Sequence, residues 1–430
     1  MKKIFTTISV AFSAILFAQV GHLMQGIGSV NMSMGGASTG QVIDISGALQ
    51  WNPAGITEFN GTNLSVNAGL FMSNPKLSSV YNDGTNTYSG TTEDQKANSV
   101  MPAAAVTFGK SDKHKFGVSV FGVSGFGVEY PETMSNPILA PQQYGGFGNM
   151  ESNYMLMQVG FAYAYKINKN LSIGIQPSFN YSTLKIHPNP TSGQDMTASN
   201  KGYPNSDNAS ATGFGAQLGV YYKSDSGFKL GASYKTPISF GEFTFKNKYL
   251  DGSAAPDNKF TMNFPAIYSV GTGYSNKMID FALDYRFVDY ANTEGFEAKG
   301  WNTNGSVKGF GWQSISVISA GLQYKGFEKV PLRIGYTYSG NPIRPELTMF
   351  SVPASAIIKN AFEFGMGYKF TPNLTVNANY HYGTSSGETK GSLLNPMMAS
   401  ASNPYGAIPG SSVSYEMTTS MVQLGLDYKF

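Results

Sequence analysis

The chain has 430 residues, of which 50 are glycine, 13% are aromatic and only 13% are charged, with a net charge of +3 and no cysteine. Soluble domains average about 25% charged residues, so this composition argues against a soluble enzyme, and the charge is too small to mark a nucleic-acid partner. Without cysteine there is neither a disulfide framework nor a thiolate metal site.

At the amino terminus Lys2 and Lys3 precede an apolar run from Ile4 to Phe17 and the small residue Ala18. That is a secretory signal pattern, and a run of about 14 residues is shorter than the roughly 20 a spanning helix needs. Residues 1–18 are therefore expected to be removed on export, leaving Gln19 first. Residues 19–60 carry Gly26, Gly28, Gly35, Gly36, Gly40 and Gly47 among Met24, Ile27, Met32 and Met34, and close on Trp51-Asn52-Pro53-Ala54-Gly55. High glycine density and an embedded proline favour short irregular pieces over a strand. The segment is expected to fold back as a plug, or hatch, in a watery lumen.

From residue 61 to 430 the pattern alternates. Segments of alternating polarity fall near 62–73, 98–109, 115–130, 151–166, 171–187, 211–224, 228–240, 260–274, 278–290, 311–325, 330–340, 357–370, 373–385 and 416–430. Short links such as 110–114, 167–170, 225–227, 275–277, 326–329 and 371–372 alternate with long ones rich in Gly, Pro, Asn and Ser. Short periplasmic turns and long external loops produce this alternation when the strand number is even and both ends are periplasmic. The chain also ends as a strand, with Val422, Leu424, Leu426, Tyr428 and Phe430 all on one parity. The expected fold is all-β: a 14-stranded antiparallel transmembrane β-barrel in the outer membrane of a Gram-negative bacterium.

Parity assigns the faces. In 151–166, Met155, Met157, Val159, Phe161, Tyr163 and Tyr165 are expected toward lipid, and Gln158, Gly160, Ala162 and Ala164 toward the lumen. In 278–290 the lipid set is Ile279, Phe281, Leu283, Tyr285 and Phe287, which turns Asp280, Asp284 and Arg286 inward, as Arg333, Glu363 and His381 also turn by their neighbours. A charge at mid-depth on the lipid face would cost about 2–4 kcal/mol. Arg286 and Arg333 then have two readings, a salt-bridge brace or an anchor for an anionic ligand head group. The segment 115–130 breaks phase. Phe116, Val118 and Val120 hold one parity, Phe121 and Val123 the other, and Phe126, Val128 and Tyr130 return to the first, with Gly122, Gly125 and Gly127 among them. Such a slip reads as a bulge or kink, which either accommodates twist or opens a gap in the wall.

Ser33-Met34-Gly35-Gly36-Ala37 and Ala48-Leu49-Gln50-Trp51-Asn52-Pro53-Ala54-Gly55 resemble the amino-terminal hatch of the outer-membrane long-chain fatty acid and hydrocarbon transporters, the FadL/TodX family. Phe264-Pro265-Ala266 before Gly271-Thr272-Gly273-Tyr274, Leu332 to Tyr338 before Pro342, and Phe116-Gly117-Val118 with Phe126 to Tyr130 are similar to it too. The resemblance implies a hatch holding Asn52, Pro53 and Ala54, an external and a deeper binding site, and a kinked third strand at Gly122, Gly125 and Gly127 through which cargo leaves sideways. The implied partners are a long-chain fatty acid or other apolar small molecule and the outer-membrane lipid that receives it. The expected protein is a monomer with no cofactor and no metal. The loops 188–210 and 240–259 depart from the family by being largely polar, which directs capture to Met134, Ile138 and Leu139, to Met349, Phe350 and Val352, and to Leu393, Leu394, Met397 and Met398.

Two competing functions stand beside this one. A barrel enzyme is disfavoured because His22, His114, His187 and His381 are the only histidines and none lies in a nucleophile motif. A general porin or structural adhesin is the closer alternative, although an open pore has no use for a glycine-rich plug. No complete Gly-x4-Gly-Lys-Ser/Thr nucleotide motif is present, since Gly109-Lys110-Ser111 has Ala104 where that motif needs its first glycine, in keeping with diffusion-driven transfer.

Overall fold

A computed structural model of the protein describes residues 21–195 and 201–430, so the expected signal at 1–18 lies outside the described residues. Fourteen long strands form a closed antiparallel ring: β1 Asn63–Asn82, β2 Ser99–Phe108, β3 His114–Tyr130, β4 Met150–Lys166, β5 Leu171–His187, β6 Ala209–Lys223, β7 Phe228–Lys235, β8 Ile267–Ser275, β9 Ile279–Val288, β10 Ile315–Tyr324, β11 Leu332–Ser339, β12 Asn360–Lys369, β13 Leu374–Thr384 and β14 Ser412–Lys429. Each pairs with the next, and β14 returns to β1 from Asn63↔Lys429 to Val80↔Ser412. Closure gives every strand two neighbours, so that along the paired lengths no backbone group meets lipid unsatisfied.

Two strand positions differ from expectation. Residues 260–266 do not enter the wall: Asn258–Phe260 pairs with Phe243–Phe245 in an external hairpin, and β8 begins at Ile267. Alternation continues through both pieces, and only the ladder partner separates them. β1 runs on to Asn82 and pairs with Thr87–Glu93 beyond the barrel, where 74–97 was expected to be loop.

The faces follow parity. Phe161 on β4 is exposed while Gln158, Ala162 and Ala164 are buried, and on β9 Phe281, Leu283 and Tyr285 are exposed while Asp280, Asp284 and Arg286 are buried. The interior is filled. Residues 21–60 lie within the ring and are buried from Leu23 to Thr57 apart from Met24 and Ile43, forming α1 Gly28–Ser33, α2 Ile45–Trp51 and a 3₁₀ turn Pro53–Glu58. Gly35 and Gly36, at φ of +66° and +74°, turn the chain after α1 in a conformation that a side chain would strain. The Asp44 carboxylate caps α2 by accepting from the amides of Ser46 at 3.1 Å and Gly47 at 3.2 Å.

Candidate functional site

The lumenal segment meets the wall through glycines. A Cβ at Gly174 of β5 would stand 2.5 Å from the Ala54 nitrogen, and one at Gly321 of β10 would stand 2.5 Å from the Met34 oxygen. At Gly231 of β7 it would overlap the Thr39 carbonyl oxygen, and at Gly335 of β11 the Gly35 nitrogen. Gly174 faces Gly219, Gly231 faces Gly271, and Gly321 faces Gly335 across their ladders, so a belt of bare wall receives the backbone of residues 33–54. This belt was not foreseen. Its signal in the sequence is a glycine flanked by outward apolar neighbours in strand after strand, as in Ile173-Gly174-Ile175, Leu218-Gly219-Val220 and Ile334-Gly335-Tyr336.

Polar groups lock the same interface. Asn52 donates to the carbonyls of Thr39 at 2.8 Å and Val220 at 3.0 Å, and accepts from the Ala54 amide at 3.2 Å. Pro53 opens the 3₁₀ turn, where its missing N–H costs nothing, and Ala54 is fully buried against β5. Asp284 accepts from the amides of Ser38 and Thr39, each at 2.8 Å. Arg286 pairs with Asp284 at 2.8 Å, donates to Gly36 O at 2.5 Å, and lies 3.7 Å from the centroid of the Trp51 ring. Arg333 donates to Gln323 at 2.6 Å and Asn377 at 3.0 Å, while His381 bonds Glu363 at 2.6 Å and Thr419 at 3.1 Å. Glu363 also accepts from Gln25, which ties the start of the lumenal segment to β12.

One sector lacks this seal. β2 pairs with β3 only from Ala103↔Phe121 to Phe108↔Phe116, and the β3–β4 register shifts between Gly122 and Ser124. Past the shift the faces exchange, so that Val128 and Tyr130 are buried and Gly125 is exposed. The extra residue of a bulge reverses a period-two pattern, which is why apolar side chains return on even positions yet point inward. The upper edge of β3, left by β2, is met by residues 22–24: Met24 N donates to Val123 O at 3.0 Å, and His22 O accepts from Gly125 N at 3.1 Å and Ser124 Oγ at 2.9 Å.

Beside this strap is a cavity of about 330 Å³. It is lined by Gly122, Ser124, Gly125 and Gly127 of β3, by Val100, Met101 and Pro102 of β2, by Met24, Tyr154 and Met157, and by Ala356. Val100 and Met155 on its lining are exposed on the outer wall, and Leu23 and Ala356 are buried in the interior, so residues of both faces line the cavity. A Cβ on Gly122 would find nothing nearer than 3.9 Å. The three kink glycines therefore line one cavity, while Arg286 and Arg333 lie elsewhere in the lumen.

Of the loop residues expected to capture cargo, Ile138, Leu139, Phe350, Val352, Leu393 and Leu394 are buried and fill space between loops. Met134, Met397 and Met398 remain exposed, and Met349 is partly buried. No cluster of potential metal ligands occurs among the described residues.

A family model described as outer membrane protein transport protein (OMPP1/FadL/TodX) matches residues 19–430. The chain belongs to this family. As a member it is an outer-membrane β-barrel transport protein, which displaces the barrel-enzyme alternative. The toluene transporter TodX of Pseudomonas putida has a similar fold, with a TM-score of 0.68 and 18% identity over 94% of this chain and 99% of that one. A FadL homologue of Pseudomonas aeruginosa gives 0.70 and 14% over 96% and 100%, and the toluene transporter TbuX of Ralstonia pickettii 0.64 and 16% over 94% and 99%. At these identities the structures share the fold alone. No curated sequence matches the chain.

Proposed function

We propose that this transporter carries apolar small molecules, long-chain fatty acids or related hydrocarbons, from the external loops into the barrel and out sideways to outer-membrane lipid through the opening between β2 and β3. The observation that carries the reading is the interrupted β2–β3 ladder with a cavity lined from both faces of the wall at that point. Burying an alkyl chain is favourable by roughly 0.8 kcal/mol per CH₂, so an apolar cavity collects cargo from water. Passage on to lipid exchanges one apolar environment for another and needs no energy source. An exit into the periplasm would forfeit that gain and would have to cross the glycine belt, where residues 21–60 act as a hatch. The same belt weighs against a general porin. A single chain closes the ring, and the transporter acts as a monomer in this reading. Arg286 and Arg333, each engaged by lumenal partners, serve as braces rather than head-group anchors.

Gly122→Val tests the reading, because valine has room to stand in the cavity. Uptake of a labelled fatty acid into reconstituted vesicles should fall at least about tenfold while heat-modifiable barrel mobility is kept. Undiminished uptake by a folded variant would send the cargo by another path, and a large steady conductance of the wild-type barrel would restore the porin.

A further inference from the structure

Six strands carry the same pair at their periplasmic end, an aromatic residue followed by lysine: Tyr165-Lys166 on β4, Tyr222-Lys223 on β6, Phe228-Lys229 on β7, Tyr324-Lys325 on β10, Tyr368-Lys369 on β12 and Tyr428-Lys429 on β14. Five of the six rings are exposed on the outer wall, Tyr165 being half-buried, and rings at that level form the aromatic girdle of the membrane interface. Side chains of a strand alternate, so each ring that faces lipid turns the lysine beside it toward the lumen. The periplasmic mouth is ringed by ammonium groups. The short turns 110–114, 167–170, 225–227, 275–277 and 326–329 beyond it add five lysines against three carboxylates.

Where this ring meets a carboxylate, it takes it. Lys223 pairs with Glu58 of the lumenal segment at 2.7 Å, and Lys325 with Asp280 at 2.8 Å. Lys229 reaches the Ser275 hydroxyl at 3.2 Å, while Lys166, Lys369 and Lys429 enter no ion pair among the described residues. Lys325, Lys369 and Lys429 border a cavity of about 280 Å³ together with Arg333, which engages protein partners through Nε and Nη1 alone. The two carboxylates on that lining are already committed. Asp44 caps α2, and Asp427 accepts from Asn377 at 2.8 Å. Cations at this mouth therefore outnumber the carboxylates that neutralise them.

Lipid head groups are a poor match, because the rings and not the lysines face the membrane. A small anion fits the cavity but leaves Lys166, Lys223 and Lys229 on β4, β6 and β7 unused. A run of carboxylates on one chain can follow the whole rim. We propose that the periplasmic mouth is a docking surface for an acidic segment of a periplasmic polypeptide, whose carboxylates sit on the lysine ring and in the cavity beside Arg333. The Lys223 pair with Glu58 shows the contact on which the docking is built. The inference is independent of the route that cargo takes, since it concerns the face opposite the external loops. Charges at such a rim steer encounter and are screened by salt.

The test uses the full barrel in nanodiscs of phosphatidylcholine, which has no net charge, with fluorescein-labelled decaglutamate as the probe and fluorescence anisotropy as the readout. Decaglutamate should bind in about 50 mM salt and at least about tenfold more weakly in about 300 mM, as the screening length shortens. A neutral Gly-Ser peptide of the same length should not bind. The combined variant Lys166→Gln/Lys369→Gln/Lys429→Gln has no ion pair to lose, and should keep heat-modifiable mobility while binding about tenfold more weakly. Lys246→Gln/Lys248→Gln/Lys259→Gln, which removes the same charge from the external loops, should bind within about twofold of wild type. Absence of binding to wild type overturns the proposal, as does equal binding by wild type and the periplasmic variant, or an equal loss in both variants. Citrate should displace the probe no better than sodium chloride of equal ionic strength, and stronger displacement would make the mouth a small-anion site and overturn the acidic segment. Loss of probe binding when phosphatidylglycerol is added to the discs would assign the lysines to lipid and overturn it too. On the unaltered barrel, carbodiimide should join decaglutamate to Lys369 or Lys429 in peptide mass maps, and crosslinks confined to the external lysines overturn the docking without any variant.

Discussion

Glycine does opposite work in two sectors of this wall. From β5 round to β11 it removes side chains so that the backbone of residues 33–54 can touch the barrel, as Thr39 touches Gly231, and the result is closed. At Gly122 of β3 it removes a side chain where nothing moves in, and the result is a cavity. Composition cannot distinguish the two. What differs is whether a second piece of chain arrives to use the space, so that the same residue lets the wall close on another segment at one place and leaves a cavity at another.

The comparison breaks first at the buried charges that hold the closed side. Arg286→Gln leaves Asp284 without its cation in a dry site, and should lower barrel stability by about 3–5 kcal/mol in urea unfolding from micelles. Affinities for a fatty acid and for an alkane of equal length should then fall together, and a loss confined to the acid would make Arg286 a head-group anchor instead. Gly231→Val should cost about 1–3 kcal/mol, because its side chain meets backbone that cannot yield. Displacement of the hatch should also raise its conductance in planar bilayers. Gly122→Val is the paired control and should stay within about 0.5 kcal/mol of wild type, so equal destabilisation of the two glycines would erase the distinction between sectors. Asn52→Ala leaves the Thr39 and Val220 carbonyls without their donor and should cost about 1–3 kcal/mol, visible as faster hydrogen exchange of residues 38–55.

Much of the frame was legible because it is local. Lipid on one side and a lumen on the other impose a period of two on each strand, so the parity that turned Arg286 and Glu363 inward could be read from adjacent residues alone. The alternation of short and long links set the strand number for the same reason. The phase slip in β3 was legible as well, since a bulge shifts the pattern where it occurs. The consequence of the slip was not. Whether Phe126, Val128 and Tyr130 face lipid or lumen depends on the β4 register, and a glycine-rich slip is compatible with either until a partner strand is chosen.

By itself, then, the sequence determined a closed alternating barrel with a non-strand segment ahead of it, because these follow from short-range polarity and turn chemistry. Tertiary structure decided what each exception means. His22 and Tyr290 lie 268 residues apart, and Thr39 has no local reason to meet Gly231. That residues 260–266 stop short of the wall was likewise settled by the ladder at Ile267↔Val288 and not by their own alternation. Contacts of this range are fixed only when the ring closes and its interior is filled, for only then does one side chain's vacancy become another segment's site.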